Sequence, residues 1–253
     1  MGEATDGTAA LAALLRPVRA VLFDFDGPVC DLFRGASTAA VAARIKANTR
    51  RYWNSLDPDV ATCSDSHGIL RLLRAMYERP TATARDPRPL ALAEEVVAAQ
   101  EMEAVPSAVP APGFTALLDV LGDIGVRTAV VSNNAEAPIR DYLSRRGTHD
   151  RFEAVCGRDP EDARRMKPHP DCVLRALARL SLPAGACLLV GDQVTDLKAA
   201  RRAGTRFLGF TGDDVRAKEM RHLGADAVVS SHLPLVEAAR TLAGSRPPLT
   251  AKR

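Results

Sequence analysis

No stretch of the 253-residue chain is apolar for long enough to span a membrane. The alanine-rich opening, 1–15, carries Glu3 and Asp6 where a secretory leader needs a basic flank and a long apolar centre. Neither sign of charge is in excess. The balance of 34 lysines and arginines against 31 acids leaves +3, too little to indicate nucleic acid or an acidic membrane surface as a partner. Closely spaced thiols are missing as well. Cys30, Cys63, Cys156, Cys172 and Cys187 contain no Cys-x-x-Cys and are odd in number, so no complete disulfide framework is available, and reduced thiols in a cytoplasmic protein are expected. There is also no internal repeat. What the chain does have is apolar content: at 46% hydrophobic it can bury a core, and its length admits one large domain or a core with a sizeable insertion. A soluble globular protein is expected.

The segment Val21-Leu22-Phe23-Asp24-Phe25-Asp26-Gly27 is an apolar run ending in two carboxylates and a glycine. It reads as a central parallel strand, buried on both faces and stopped by Gly27 and Pro28. Ligands of open parallel sheets bind outside the carboxyl ends of the strands, which is where Asp24 and Asp26 stand. Successive side chains alternate, so both acids can serve one site only if the chain bends at Asp26. By itself Asp-x-Asp-Gly also closes calcium loops and ordinary turns.

After Asp31 the pattern becomes helical. Ser37 is placed to cap a helix over 39–51, and Cys63 to Ser66 forms a polar loop before a helix carrying Ile69, Leu72, Leu73 and Met76. After a proline-rich break over 80–89, a third helix over 90–103 directs Leu92, Val96, Val97 and Ala99 toward a core. From Pro110 the pattern returns to alternating units. Helix is expected over 114–124, strand over 127–132, helix over 168–180 with Pro168 in its first turn, strand over 187–190 and helix over 195–203. Strands over 206–210 and 227–230 follow, with helix over 214–223 between them. The fold class is therefore α/β: a parallel sheet interrupted after its first strand by a helical insertion.

Polar residues appear at the ends of these strands without being required by the apolar runs before them. Ser132 and Asn133 follow Val130-Val131, Lys167 precedes Pro168, and Asp192 and Asp196 follow a buried strand. Each has an ordinary explanation: Ser132 or Asn133 could cap a helix, Lys167 could lie on the surface, and Asp196 could complement a helix N-terminus. Together at one sheet edge they make a chemical demand. Four carboxylates repel, and one lysine cannot neutralise them, so a hard divalent cation with oxygen ligands is implied, with magnesium the natural occupant. A carboxylate beside such an ion is positioned to attack phosphorus.

These residues resemble, in order, the four motifs of the haloacid dehalogenase superfamily of phosphatases: Asp24-Phe25-Asp26-Gly27-Pro28-Val29-Cys30-Asp31, then Ser132-Asn133, then Lys167, then Gly191-Asp192 through Asp196. The resemblance covers most of 20–232. It implies a Rossmann-like parallel-sheet core over 18–30 and 111–243, an inserted α-helical cap over 31–110 similar to that of phosphoglycolate phosphatase and β-phosphoglucomutase, and loose termini over 1–17 and 244–253. It implies Mg2+ held by Asp24, Asp26, Asp192 and Asp196, with Asp26 giving its backbone carbonyl. Asp24 would be the nucleophile and Asp26 the general acid and base, while Ser132, Lys167 and Asn133 would hold the phosphoryl group. Pro28 stands where the family usually has threonine, and Gln193 where it commonly has serine. An aspartate at position 26 favours phosphoryl transfer over dehalogenation.

In the cap, Arg44, Lys46, Arg50, Arg51, His67 and Arg71 are candidates to read the substrate, with His67 and Arg50 put forward and Ser64 to Gly68 as the segment meeting the site. The expected partner is a small phosphorylated metabolite, with no nucleic acid or membrane, bound by a monomer or homodimer. A phosphomutase, or a non-catalytic binding protein retaining the fold, are the alternatives.

Overall fold

The computed structural model describes residues 2–81 and 84–244. The chain opens with helix α1 (Gly2–Leu15) and strand β1 (Ala20–Phe23). A two-residue strand, β2 (Cys30–Asp31), leads into helices α2 (Ala39–Thr49), α3 (Pro58–Thr62), α4 (Ser66–Glu78) and α5 (Arg88–Ala104), and β3 (Val109–Pro110) leads out of them. Helix and strand then alternate: α6 (Phe114–Asp123), β4 (Arg127–Val131), α7 (Glu136–Arg145), β5 (Ala154–Cys156), α8 (Asp171–Leu180) and β6 (Cys187–Gly191). The series closes with α9 (Val194–Ala203), β7 (Arg206–Phe210), α10 (Asp214–His222), β8 (Ala227–Val229) and α11 (Leu233–Gly244).

Six strands form one sheet in the order β5-β4-β1-β6-β7-β8, every pair parallel. This is the expected Rossmann-like α/β fold. The alternation of side chains along β1 supplies both layers of the core. Val21 and Phe23 pack with apolar residues of α1, α6, α7 and α11, while Ala20 and Leu22 pack on the other face with α8, α9 and Met220 of α10. Burying a side chain such as Phe23 is worth about 1.5–3 kcal/mol, so this strand anchors the sheet. The chain proceeds from β1 outward to β4 and β5 on one side and to β6, β7 and β8 on the other. Beside β1 the winding reverses, opening a crevice at the carboxyl ends of the strands.

Helices α2 to α5 have a separate apolar cluster, built on Ile45, Trp53, Val60, Ile69, Leu73, Met76 and Val97 and joined by Met166 from the sheet domain. The chain enters and leaves this block through adjacent strands, with Cys30 opposite Pro110 and Asp31 opposite Val109. Sequence reading finds no strand in that region, because two residues leave no periodicity to detect, and it likewise omits the three-residue β5.

Several local expectations are corrected. The expected loose terminus over 1–17 is largely helix α1, whose Leu11, Ala12 and Leu15 share one face and are buried in the core cluster. Of the other loose segment, 245–253 lies outside the described residues. The buried stripe of α5 is Pro89, Ala93, Val97 and Glu101, while Leu92 and Val96 are half-buried and Ala99 is exposed. Pro168 precedes α8, which starts at Asp171, and the Lys167–Pro168 peptide is cis. Thr38 rather than Ser37 is the N-cap of α2, without a side-chain cap bond.

Candidate active site

The sheet register brings the polar strand ends together. Phe23 is level with Val130 on one side and Val190 on the other, so Asp24, Ser132 and Asp192 emerge beside one another just past the tips of β1, β4 and β6. Asp24 continues the ladder for one bond, its N–H donating to the Val190 carbonyl at 2.9 Å. Ligating oxygens of Asp24, Asp192 and Asp196 all lie within 4.8 Å of one another. Among the described residues this is the one such group of possible metal ligands.

Lys167, fully buried, stands among these acids, with Nζ 2.8 Å from Asp24 Oδ1 and 2.6 Å from Asp196 Oδ1. Its ammonium also donates to the Val131 carbonyl at 3.3 Å. Burial alone would pull the lysine down, but the charges of Asp196 and Asp24 overcome it and hold the ammonium above the ordinary lysine range. Arg216 adds a second cation, 3.5 Å from Asp192 Oδ2, and two cations do not balance three acids. Burial, then the charge of Asp196, pushes Asp24 up to about 7 against the pull of Lys167; burial, then Asp24 and Asp196, pushes Asp192 up to about 8. A hard divalent cation fits this all-oxygen donor set and relieves the repulsion.

Asp196 performs its structural and its site role at once. Oδ2 accepts from the Gln193 N–H at 2.9 Å, closing the first turn of α9, while Oδ1 faces Lys167. Glycine at 191 is required by this packing, because a Cβ there would lie 2.4 Å from Asp196 Cβ. Gly27 has φ +99°, and a Cβ on it would lie 2.9 Å from Asp192 Cγ. The required bend lies between the two acids: β1 ends at Phe23, the chain bends at Phe25 ahead of the turn at Gly27, whose N–H returns to the Cys30 carbonyl at 2.7 Å, and Asp24 and Asp26 line the same cavity. Asp26 Oδ1 accepts from the Leu32 N–H at 2.9 Å, and burial raises its carboxyl. Its side chain is not in the three-acid group.

Ser132 and Asn133 do not cap α7, whose N-cap is Ala135. The Ser132 hydroxyl donates to Asn134 Oδ1 at 3.0 Å and accepts from the Asn134 N–H at 3.1 Å. Asn133 pins the Lys167 backbone: Oδ1 accepts from the Lys167 N–H at 2.7 Å, and Nδ2 donates to its carbonyl at 3.3 Å. It therefore positions the lysine while also lining the cavity.

That cavity, about 400 Å3, is floored by Asp24, Asp26, Ser132, Lys167 and Asp196 and roofed from α4 by His67 and Arg71. A larger hollow of about 740 Å3 beside α1, α10, β8 and α11 lacks the three-acid group, so the smaller one is the site with convergent chemistry. His67 thus meets the core site, with Asp65 capping α4 through the Gly68 N–H. Arg71 reaches across to the Lys167 carbonyl at 3.3 Å. Arg50 lies exposed at the C-terminal end of α2, outside the cavity lining.

Three buried residues here were not found from the sequence: Glu101, Asn134 and Arg158. Glu101 had a signal, since it interrupts the apolar i, i+4 stripe of Ala93 and Val97 with a carboxylate. Asn134 and Arg158 had none beyond adjacency to a strand end.

The sequence profile of the haloacid dehalogenase-like hydrolases matches residues 18–204. A phosphoglycolate phosphatase of Xylella fastidiosa is 32% identical over 191 residues, 74% of this chain and 77% of the relative. Protein CbbY of Rhodobacter capsulatus is 31% identical over 131 residues, 49% of this chain and 57% of that protein, so the match spans less than two thirds of it. Among solved structures, a putative haloacid dehalogenase-like hydrolase from Bacteroides fragilis has TM-score 0.62 at 22% identity, covering 87% of this chain and 99% of that one. CbbY from Rhodobacter sphaeroides in complex with phosphate has TM-score 0.56 at 22% identity, covering 85% and 94%. The structural likenesses carry the fold alone.

Proposed function

The chain belongs to the haloacid dehalogenase-like hydrolase family and is a hydrolase, and on that premise we propose a magnesium-dependent phosphatase acting on a small phosphorylated metabolite through an aspartyl-phosphate intermediate. The reading rests on one observation: three carboxylates within 4.8 Å of one another, two of which, Asp24 and Asp196, meet a buried lysine at the floor of a cavity. Relatives named as phosphatases support the reaction class.

Asp24, Asp192 and Asp196 would hold Mg2+, together with the backbone carbonyl that the family resemblance assigns to Asp26. The ion, when bound, supplies positive charge that keeps the acids ionised and offsets the charge of a phosphate ester. Asp24 Oδ1 is occupied by Lys167 and, at 2.7 Å, by the Phe25 N–H, which leaves Oδ2 to attack phosphorus. The Oδ2–P bond forms as the P–O ester bond breaks, and Asp26 gives its proton to the departing oxygen. The raised carboxyl of Asp26 suits that duty. Asp26, now ionised, takes a proton from water as the water oxygen attacks phosphorus and the P–Oδ2 bond breaks, regenerating Asp24. Lys167 and Ser132 hold the transferring oxygens in both halves, and Asn133 fixes the lysine backbone.

His67 and Arg71 face the remote end of the substrate, and the 400 Å3 cavity limits it to a small molecule. We place the enzyme in the cytoplasm, as a monomer or homodimer. No helix among the described residues is long and apolar enough to cross a membrane, and all five cysteines are free. The test is phosphate release from a panel of phosphorylated metabolites with and without Mg2+, alongside Asp24→Asn. Magnesium-dependent release lost in the variant is expected. Release that magnesium never stimulates and the variant matches would overturn the reading.

A further inference from the structure

Glu101 lies on α5 of the helical insertion, next to the segment that returns to the sheet, and is completely buried. Its carboxylate accepts four hydrogen bonds. Oε1 takes His67 Nε2 at 2.8 Å, Asn134 Nδ2 at 3.1 Å and an Arg158 guanidinium N–H at 2.6 Å, and Oε2 takes the Ala135 N–H at 2.9 Å. Burial would raise the acid, but the His67 hydrogen bond and the Arg158 charge prevail and hold it below the ordinary glutamate range. Arg158, whose side chain is wholly buried, also pairs with Glu94 at 2.8 Å, two turns earlier on α5. The same guanidinium donates to the Asn133 carbonyl at 3.1 Å. One helix of the insertion is thus fixed to the loop after β4 that carries Ser132.

We infer that Glu101 is a positioning residue shared by cap and core, which orients the His67 ring over the cavity and, through Asn134, holds the Ser132 hydroxyl oxygen in place beside the phosphoryl site. The two arms have separate geometry. On the cap side, an ionised carboxylate can only accept, so the His67 ring carries its proton on Nε2, directed at Glu101, and Nδ1 is left for the cavity that His67 lines. On the core side, Asn134 donates Nδ2–H to Glu101, which sets the amide so that Oδ1 is the atom meeting the Ser132 hydroxyl. The Asn134 N–H occupies a lone pair of the same hydroxyl, so the Ser132 O–H has a fixed pivot for turning to a phosphoryl oxygen. Without Glu101, neither the ring nor the amide has a unique orientation. The Ser132 arm rests on the phosphatase reading; the His67 arm does not.

The test uses the full chain with two readouts. The His67 Nε2–H resonance, assigned by its loss in His67→Asn, reports the first arm without any turnover. Expected is a slowly exchanging Nε2–H in the parent and in Asn134→Ala, absent in Glu101→Gln. Turnover of p-nitrophenyl phosphate with Mg2+ reports the second arm. Both Glu101→Gln and Asn134→Ala are expected to lower kcat about ten- to a hundredfold per folded molecule, a loss typical of removing an outer positioning partner. KM is expected to move less than about threefold, because orientation is lost rather than ground-state binding. If Glu101→Gln does not fold, the parent resonance and Asn134→Ala carry the test. A parent without a protected Nε2–H, or an Asn134→Ala variant with unchanged kcat, would overturn the inference. A parent that hydrolyses no phosphate ester overturns the Ser132 arm along with the phosphatase reading, while the resonance still decides the His67 arm.

Discussion

Two clusters of buried charge lie within one loop of each other and shift their acids in opposite directions. At the strand tips, Asp24 and Asp196 meet the ammonium of Lys167, Asp192 meets only the half-exposed Arg216, and burial with mutual repulsion raises Asp24 and Asp192 far above the ordinary carboxylate range. At the junction of α5 with the sheet domain, Glu101 and Glu94 enclose Arg158, His67 donates to the same Glu101, and that acid is held low. In the second cluster both Glu101 oxygens are already met by donors. The first is in deficit by positive charge, at the place where a cation and an anionic ester would be received. A buried cluster that closes on itself fixes structure; one left unbalanced marks the site of chemistry.

The largest contrast is in activity. Asp24→Asn is expected to lower kcat at least about a thousandfold, since the amide is no nucleophile, while the melting temperature is maintained or raised. Steady-state assay beside thermal unfolding checks both halves. At the junction the signs invert: Arg158→Met should cost about 3–5 kcal/mol by denaturant titration, because two glutamates lose the cation they enclose. A smaller effect of opposite sign is expected at the tips. In metal-free protein Asp192→Asn should stabilise by about 1 kcal/mol, removing one acid from an overloaded group, and should at the same time abolish magnesium-dependent turnover. An Asp192→Asn variant less stable than the metal-free parent would break the comparison.

pH offers a gentler probe. Asp24 and Asp192 are raised from 3.8 to about 7 and about 8, so the folded state keeps protons that the unfolded state has lost. Their contribution is complete below the unfolded value and disappears as pH rises through the folded ones. His232 acts in the other direction: burial lowers it from 6.5 to about 4, so it costs stability only as pH falls below 6.5. Between about pH 6.5 and pH 8 the acids therefore act without it, and chelated protein should lose a few degrees of melting temperature. Saturating magnesium should remove that slope. The least effect is expected at Arg50→Ala, which lies outside the cavity and should change kcat/KM by less than about twofold.

How far these clusters could be read from the sequence follows from how each is encoded. The strand-tip group was legible because each member ends or follows an apolar run, and parallel register does the rest: Phe23 aligned with Val130 and Val190 leaves Asp24, Ser132 and Asp192 within one residue of the same level, just past the strand ends. The bend that Asp24 and Asp26 require also follows from the alternation of strand side chains, and the chain makes it at Phe25. The junction was not legible, since Arg158 meets Glu101 across 57 residues and nothing local to either names the other. Helix α1 was missed for a similar reason. An alanine-rich terminus becomes a packed helix only because α11, more than 200 residues later, supplies its partner face. The grip of Asn133 on the Lys167 backbone was not legible, because sequence order gives its loop while its side-chain direction is settled by a partner 34 residues away.

The covalent step is the most exposed part of the account. Radiolabelled acetyl phosphate mixed with the parent enzyme and Mg2+, quenched in acid and digested, should leave hydroxylamine-labile label on the peptide containing Asp24, and none in Asp24→Asn. Label on the peptide containing Ser132, or equal labelling of parent and variant, would contradict it.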